Sequence, residues 1–233
     1  MSDDFTAALE ALERSGHLSE RYIKPFVDFL PVTGAAVSTL GDVLGSETLS
    51  ASDGLAARLD ELQFDLGEGP CWDALRSARP VAEPSLHTEG AKRWPAFAAA
   101  ARAEAVSSIF AFPLIVGPLK LGSVDLYSLD PVALDANESL RAATLAAIVS
   151  RHVLRGALET APADVTPNPR SRRVIHQATG VVLAQLGVSP DDALLMIQGQ
   201  AFATGRSMMD VADEVVEGRL AFVRRQGRIE VES

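Results

Sequence analysis

Cysteine, histidine and long apolar runs are scarce in this chain of 233 residues. The single cysteine, Cys71, excludes an internal disulfide and any metal site made of several thiolates, and it favours a reducing, cytoplasmic location. The four histidines form no H-x-x-x-H or H-E-x-x-H pair, so no zinc site is predicted. The most apolar stretch, IFAFPLIVGPL, is short and broken by proline and glycine, which excludes a membrane span there. The N-terminal residues lack the basic and apolar regions of a secretory signal.

The excess of negative charge lies in one part of the chain. A formal net charge of −10 argues against a nucleic-acid partner, because a polyanion repels a polyanion. Residues 1–164, however, hold 13 basic and 23 acidic residues, whereas residues 165–233 hold 8 of each. The two parts are therefore expected to be separate units with different partners.

A proline-rich segment separates these parts. The sequence ETAPADVTPNPR, residues 159–170, contains three prolines and only one large apolar residue, which is typical of a linker. The predicted organisation is an N-terminal domain over 1–158, a linker over 159–170, a helical domain over 171–226 and a tail over 227–233.

Before the linker, the patterns predict an α+β fold in which an antiparallel sheet is flanked by helices. Apolar residues at helical spacing predict helices over 5–12, 53–62 and 137–158. Alternating residues predict two strand pairs. These are GAAVSTL with VLGSETLS, joined near Gly41-Asp42, and SSIFAFPLIV with KLGSVDLYSL, joined at Gly117-Pro118.

Two further details follow from these patterns. The alternation changes phase at Gly122-Ser123, which predicts a β-bulge. The helix over 137–158 is apolar around most of its circumference, more than one sheet face would cover. We therefore predict a homodimer built on that helix.

After the linker, capping residues predict three helices and nothing but helices. Asn168-Pro169 begins the first helix and Gly187 ends it. Ser189-Pro190 begins the second and Gly205 ends it, and Ser207 with an acid three residues later begins the third.

No segment predicts catalysis. The loop in FDLGEGPCWDALRSARPV has two glycines, but Glu68 and Pro70 oppose a phosphate site, so a tight turn before a helix is the better interpretation. Cys71 has no basic residue nearby in sequence and is interpreted as a small buried hydrophobe. His87 is either a ligand contact or a solvated loop histidine, and the second is favoured. No catalytic residue and no metal site are predicted, and we expect the protein not to be an enzyme.

The N-terminal part resembles a GAF domain of the kind found in actinobacterial regulators. The resemblance rests on three segments in order: FDLGEGPCWDALRSARPV, RWPAFAAAARAEAVSSIFAFPL and LGSVDLYSLDP. It implies a sensing domain for a small molecule or redox signal, often dimeric. The cyclic-nucleotide signature of some GAF domains is absent, and no cofactor is identified.

The segment from Ile175 to Val216 resembles an ANTAR domain. The family pattern Gln-Ala-Lys-Gly appears here as Gln177-Ala178-Thr179-Gly180. The resemblance implies a three-helix RNA-binding module that recognises paired hairpins in transcription antitermination. Together the two resemblances imply a signal-responsive, cytoplasmic GAF–ANTAR regulator whose partner is RNA. The alternative is a dimeric GAF regulator whose helical unit binds a partner protein instead.

This chain departs from the ANTAR pattern at cationic positions. Thr179 stands in place of the family lysine, and Ile197-Gln198 stand where members often have arginine, which removes phosphate contacts. The predicted RNA-binding residues are Arg172, Arg173, Gln177, Thr179, Gly180 and Arg206. Arg206 is expected on the same exposed face as Gln177 and Thr179. Two explanations of Gly180 stay open: close approach of RNA or protein, or tight packing of a second helix.

A small-molecule pocket is also predicted between the sheet and residues 64–97. Trp72, Trp94 and Phe97 are its candidate lining residues. The alternative is that these aromatic side chains are ordinary core.

Overall fold

The computed structural model describes residues 3–16, 21–40, 44–159, 172–225 and 227–232. The chain folds into two compact units, Met1–Arg170 and Ser171–Ser233. The predicted Gly41-Asp42 turn, most of the predicted linker and the Asn168-Pro169 cap lie outside the described residues.

The first unit is built on a five-stranded antiparallel sheet, as predicted. The strands are β1 (Gly34–Thr39), β2 (Glu47–Ala51), β3 (Val81–Glu83), β4 (Ser108–Val116) and β5 (Leu119–Ser128). Their order across the sheet is β2-β1-β5-β4-β3. Both predicted hairpins form, and Gly117 adopts the positive φ of +58° that the tight turn between β4 and β5 requires.

The predicted bulge lies one residue earlier than expected. Leu114 pairs with Gly122 and Ile115 pairs with Lys120, so Leu121 is the extra residue of β5. Gly122 also approaches β1 closely, since a Cβ at this position would lie 1.9 Å from the carbonyl oxygen of Ser38.

Helices cover both faces of the sheet. On one face lie α1 (Asp3–Arg14), α2 (Lys24–Phe29) and α7 (Ala136–Glu159). On the other lie α3 (Gly54–Leu66), α4 (Pro70–Ser77), a π-helical turn (Leu86–Gly90), α5 (Ala91–Arg93) and α6 (Pro95–Ala103). Alternation along β5 places Val124 and Leu126 in the first core, and Asp125 and Tyr127 face the opposite side.

The predicted dimer contact through Val149 and Val153 is wrong. Leu145, Ile148, Val149 and Val153 are buried in one core with the sheet and with residues of α1 and α2. Substitution of Val149 or Val153 by glutamate would therefore disrupt the core of one chain. Leu140 and Leu158 of α7 stay 66% and 78% exposed, and a homodimer through this helix stays a prediction.

The second unit contains the three predicted helices, α8 (Arg173–Leu186), α9 (Pro190–Thr204) and α10 (Met208–Val216). The predicted N-caps of α9 and α10 are confirmed: the hydroxyl of Ser189 accepts a hydrogen bond from the Asp192 amide, and that of Ser207 accepts one from the Asp210 amide. The first helix begins later than predicted, at Arg173, with Arg172 as its N-terminal flanking residue. Gly187 and Gly205 end α8 and α9 in the left-handed conformation.

The expectation that everything after the linker is helical is wrong. Strands β6 (Ala221–Arg225) and β7 (Arg228–Glu232) form an antiparallel hairpin across the boundary predicted after residue 226. Phe222 anchors it, because its side chain is 2% exposed and its amide donates to the Gln185 side chain at 3.0 Å.

Among the described residues no single helix is long and apolar enough to cross a membrane. Helices α8 and α9 meet that criterion only together, as a pair bent by 107°.

Candidate functional site

One side of α8 is open and polar. Arg173, Gln177, Gly180 and Ala184 are exposed, and their spacing of three or four residues aligns them along the helix. The opposite side carries the buried residues Ile175, Ala178, Val182 and Leu186. The helix therefore presents a stripe with one cation, one amide and two very small residues.

Gly180 lies in the middle of this stripe, and the structure decides between its two explanations. A Cβ built at Gly180 would meet no atom within 4 Å among the described residues. Tight packing of a second helix against this glycine is therefore wrong. What remains is a low, accessible stretch of helix, which a ligand backbone can approach closely.

Thr179 does not share this stripe. Successive residues are about 100° apart around a helix, so Gln177 and Thr179 lie about 200° apart. Thr179 is half-buried, and its hydroxyl donates to the Ile175 carbonyl at 2.7 Å. The expectation that Gln177 and Thr179 lie on one exposed face is wrong.

Arg172 is also poorly placed for RNA. It is 3% exposed and precedes α8 as its N-terminal flanking residue. A buried guanidinium cannot reach a phosphate group without rearrangement, whereas its neighbour Arg173 is exposed.

Arg206 is accessible but already paired. It follows α9 and binds Glu214 of α10, with 2.8 Å between guanidinium and carboxylate, while Arg219 binds the other oxygen of Glu214 at 3.2 Å. The hydrogen bond from Arg206 lowers the pKa of Glu214, and the carboxylate in turn raises the pKa of Arg206. Any phosphate must compete with this carboxylate for Arg206.

The hairpin carries three further cations, at positions predicted to belong to the helical domain and the tail. Arg224 and Arg225 lie on β6 and Arg228 on β7, and all three are exposed. Arg225 forms an ion pair with Glu232 across the hairpin. The alternating residues of β7 and the Gly227 turn are the sequence signals for this element.

The first unit contains a buried polar cluster that no sequence pattern indicated. Gln63 of α3 is fully buried and connects this helix to β5 and α4. Its side-chain Nε2 donates to Asp125 of β5 at 2.6 Å, and its Oε1 accepts from the Cys71 amide of α4 at 2.9 Å. Its backbone carbonyl accepts from the Trp72 side chain at 2.7 Å. The hydroxyl of Ser123 donates to the other oxygen of Asp125 at 2.6 Å. Buried polar groups require such partners.

Gly69 allows this cluster to form. Its φ of +135° is a conformation that side chains disfavour, and a Cβ here would lie 2.5 Å from Oε1 of Gln63. The two-glycine loop therefore serves to bring α4 against Gln63.

The predicted pocket lining is mostly core. Trp94 and Phe97 are 2% and 0% exposed and belong to the core formed with α3 and α6. Trp72 is half-buried against Phe64, and His87 is half-buried in the π-helical turn. An open cavity of about 460 Å³ does lie at this segment, but none of the three predicted aromatic residues lines it; its lining residues are Asp73, Arg76, Ser77, Val81 and Arg93.

A cavity lies elsewhere in the first unit. It has a volume of about 360 Å³ and is formed between α1 and α2 by residues that include Ala8, Leu12, Ser15, Arg21 and Lys24. Among the described residues no group of three or more His, Cys, Asp and Glu is placed to hold a metal ion.

Comparison with known proteins identifies the second unit. The family model of the ANTAR domain matches residues 165–216. Helices α8 to α10 are therefore similar to an ANTAR domain. The match ends at residue 216, before the β6–β7 hairpin. A search of curated proteins by sequence found no match.

The fold of the first unit is similar to solved GAF domains. One is the GAF domain of a phosphoenolpyruvate-protein phosphotransferase from Acinetobacter, 11% identical, with a TM-score of 0.53 over 70% of this chain and 99% of that one. Another, from a phosphotransferase of Coxiella burnetii, is 16% identical, with a TM-score of 0.49 over 67% of this chain and 92% of that one. The first of these likenesses shows a GAF-like fold and, at this identity, nothing about the ligand.

Proposed function

We propose that the chain is a signal-responsive RNA-binding regulator that acts in transcription antitermination, as GAF–ANTAR regulators of the actinobacterial type do. The observation that carries this proposal is the open stripe of α8 within an ANTAR domain: Arg173 supplies a phosphate contact, Gln177 supplies hydrogen bonds to bases, and Gly180 allows close approach. Paired RNA hairpins are the proposed ligand. No catalytic step is part of this function.

The GAF-like unit is proposed to receive the signal. The cavity between α1 and α2, about 360 Å³, is within the range of small-molecule sites, and three charged residues, Arg21, Lys24 and Asp28, are among its lining residues. Lys24 already pairs with Asp28 at 2.7 Å, so a small amphipathic molecule suits this lining. A cytoplasmic location and a homodimer belong to the same proposal.

Salt-dependent binding of a two-hairpin RNA tests the RNA function. In the full chain, Arg173→Ala is expected to weaken binding and to reduce the slope of log affinity against log salt by about one unit, because one phosphate contact is lost. Gln177→Ala is expected to weaken binding without changing the slope.

The matched control is Arg58→Ala, which removes an exposed arginine of α3 that pairs with Glu61 in the first unit. If Arg173→Ala and Arg58→Ala bind the RNA equally well, RNA recognition by this stripe is wrong. A second candidate, a protein partner for the helical unit, is favoured by the exposed apolar side chains of α9.

A further inference from the structure

The outer face of α9 is apolar and uncovered. Leu195 is 58% exposed and Phe202 is 70% exposed, although both are large hydrophobic residues. They are seven residues apart and therefore lie on the same side of the helix, with the exposed Gly199 between them. The inner face, with Ala193, Ile197 and Ala201, is buried within the unit.

This face is complementary to itself when two copies run antiparallel. Two antiparallel α9 helices that cross near Gly199 place Leu195 of each against Phe202 of the other. Gly199 has no atom within 4 Å of a built Cβ among the described residues, so the two backbones can approach closely at the crossing.

The charges at the two ends match the same arrangement. The first turn of α9 carries Asp191 and Asp192, both exposed, and Arg206 follows directly after the Gly205 cap. An antiparallel pair brings each acidic end to the end of the other copy that carries Arg206, whose guanidinium also binds Glu214 at 2.8 Å. The dipoles of antiparallel helices add to this attraction. Residues 165–233 carry equal numbers of acidic and basic residues, so the C-terminal units themselves do not repel each other through net charge.

We propose that α9 is a self-association surface through which two copies of the C-terminal unit pair antiparallel about Gly199. The partner is a second copy of this chain, because the face is complementary to itself. Leu195 and Phe202 lie on either side of Gly199, and a charged residue lies beyond each of them. The exposed stripe of α8 lies on another helix and contributes no residue to this contact. The inference does not depend on RNA binding.

Disulfide trapping in the full chain tests this pairing at the site itself. The only native cysteine, Cys71, is 1% exposed, so an added cysteine is the reactive one. Gly199→Cys is expected to give a disulfide-linked dimer under mild oxidation, because a disulfide requires the two α-carbons to lie within about 7 Å. Gly180→Cys is the matched control, an exposed glycine in the middle of the stripe on α8. It is expected to form the dimer several-fold more slowly.

A second substitution checks the contact. Phe202→Glu in the Gly199→Cys chain is expected to abolish the linked dimer, whereas Leu140→Glu, at a similarly exposed leucine of α7, is expected to leave it unchanged. Should a cysteine at the crossing prevent close approach, chains with Leu195→Cys mixed with size-tagged chains with Phe202→Cys are expected to link to each other faster than to themselves.

Two results would overturn the proposal. The first is that Gly199→Cys and the mixed Leu195→Cys and Phe202→Cys chains all link no faster than Gly180→Cys. The second is that Phe202→Glu leaves the trapped dimer intact. If Phe202→Glu then also abolishes binding of the two-hairpin RNA, RNA occupies this face.

Discussion

Replacing Gln63 by glutamate should make the stability of the first unit depend on pH. The substitution preserves size but exchanges the amide that donates to Asp125 at 2.6 Å for a carboxyl group. Two buried carboxylates at about 3 Å repel by roughly 5 kcal/mol at an effective dielectric constant of about 20. The introduced carboxyl group is therefore expected to keep its proton and to donate it to Asp125.

The loss of unfolding free energy follows from the proton that the introduced carboxyl group retains in the folded chain. The pKa of the introduced carboxyl group is raised in the folded state above its unfolded value of about 4.3. The variant is then fully stable below about pH 4.3, and above that pH its free energy of unfolding falls by about 1.4 kcal/mol per pH unit. At pH 7 the variant should be about 3–4 kcal/mol less stable than wild type, and near pH 4 the difference should almost vanish.

Urea unfolding followed by tryptophan fluorescence measures this in the full chain. The two tryptophans, Trp72 and Trp94, both lie in the first unit, so the signal reports that unit alone. The control is Gln63→Met, which loses the same hydrogen bonds without adding an acid and should be destabilised by a similar amount at every pH. If the free energy of unfolding of the Gln63→Glu variant runs parallel to that of wild type from about pH 4.5 to about pH 8, the buried Gln63–Asp125 contact is refuted.

Two further predictions concern the first unit. Val149→Glu should unfold this unit, because a charge in a fully buried site costs several kcal/mol and the free energy of unfolding is only about 5–15 kcal/mol. Leu158→Glu, at a 78% exposed site, should leave it folded, and tryptophan fluorescence distinguishes the two variants. A folded, monomeric Val149→Glu chain would contradict the core described for α7. Tyr127 donates to Asp53 at 3.1 Å, and burial, followed by the charge of Asp53, raises its pKa to about 12. The stabilisation from this hydrogen bond is thus present below about pH 10 and is lost as pH rises towards about 12. The difference in unfolding free energy between wild type and Tyr127→Phe should therefore close over that range. A constant difference would contradict the contact.

Local patterns were sufficient for most of the fold. The sequence displays the caps at Ser189 and Ser207 directly, because each depends on residues only a few positions apart. The alternation in β4 and β5 is equally local. The cover of α7 depends on α1 and α2, which lie far away along the chain, and no local pattern records it. The Gln63 cluster is of the same kind, because its partner Asp125 is 62 residues distant.

The candidate interface shows how far a matched pattern constrains a surface. The four residues Gln177–Gly180 are contiguous in the family pattern, which suggests a single contact surface. A helix distributes contiguous residues around its axis, so Gln177 and Gly180 lie within about 60° of each other while Thr179 turns towards the buried side. Arg173, one turn before Gln177, lies on the open stripe, whereas Arg172 beside it is buried. Helical spacing thus assigns the proposed RNA contact to Arg173, Gln177 and Gly180, and it assigns Leu195, Gly199 and Phe202 to a separate face that the family pattern did not reveal.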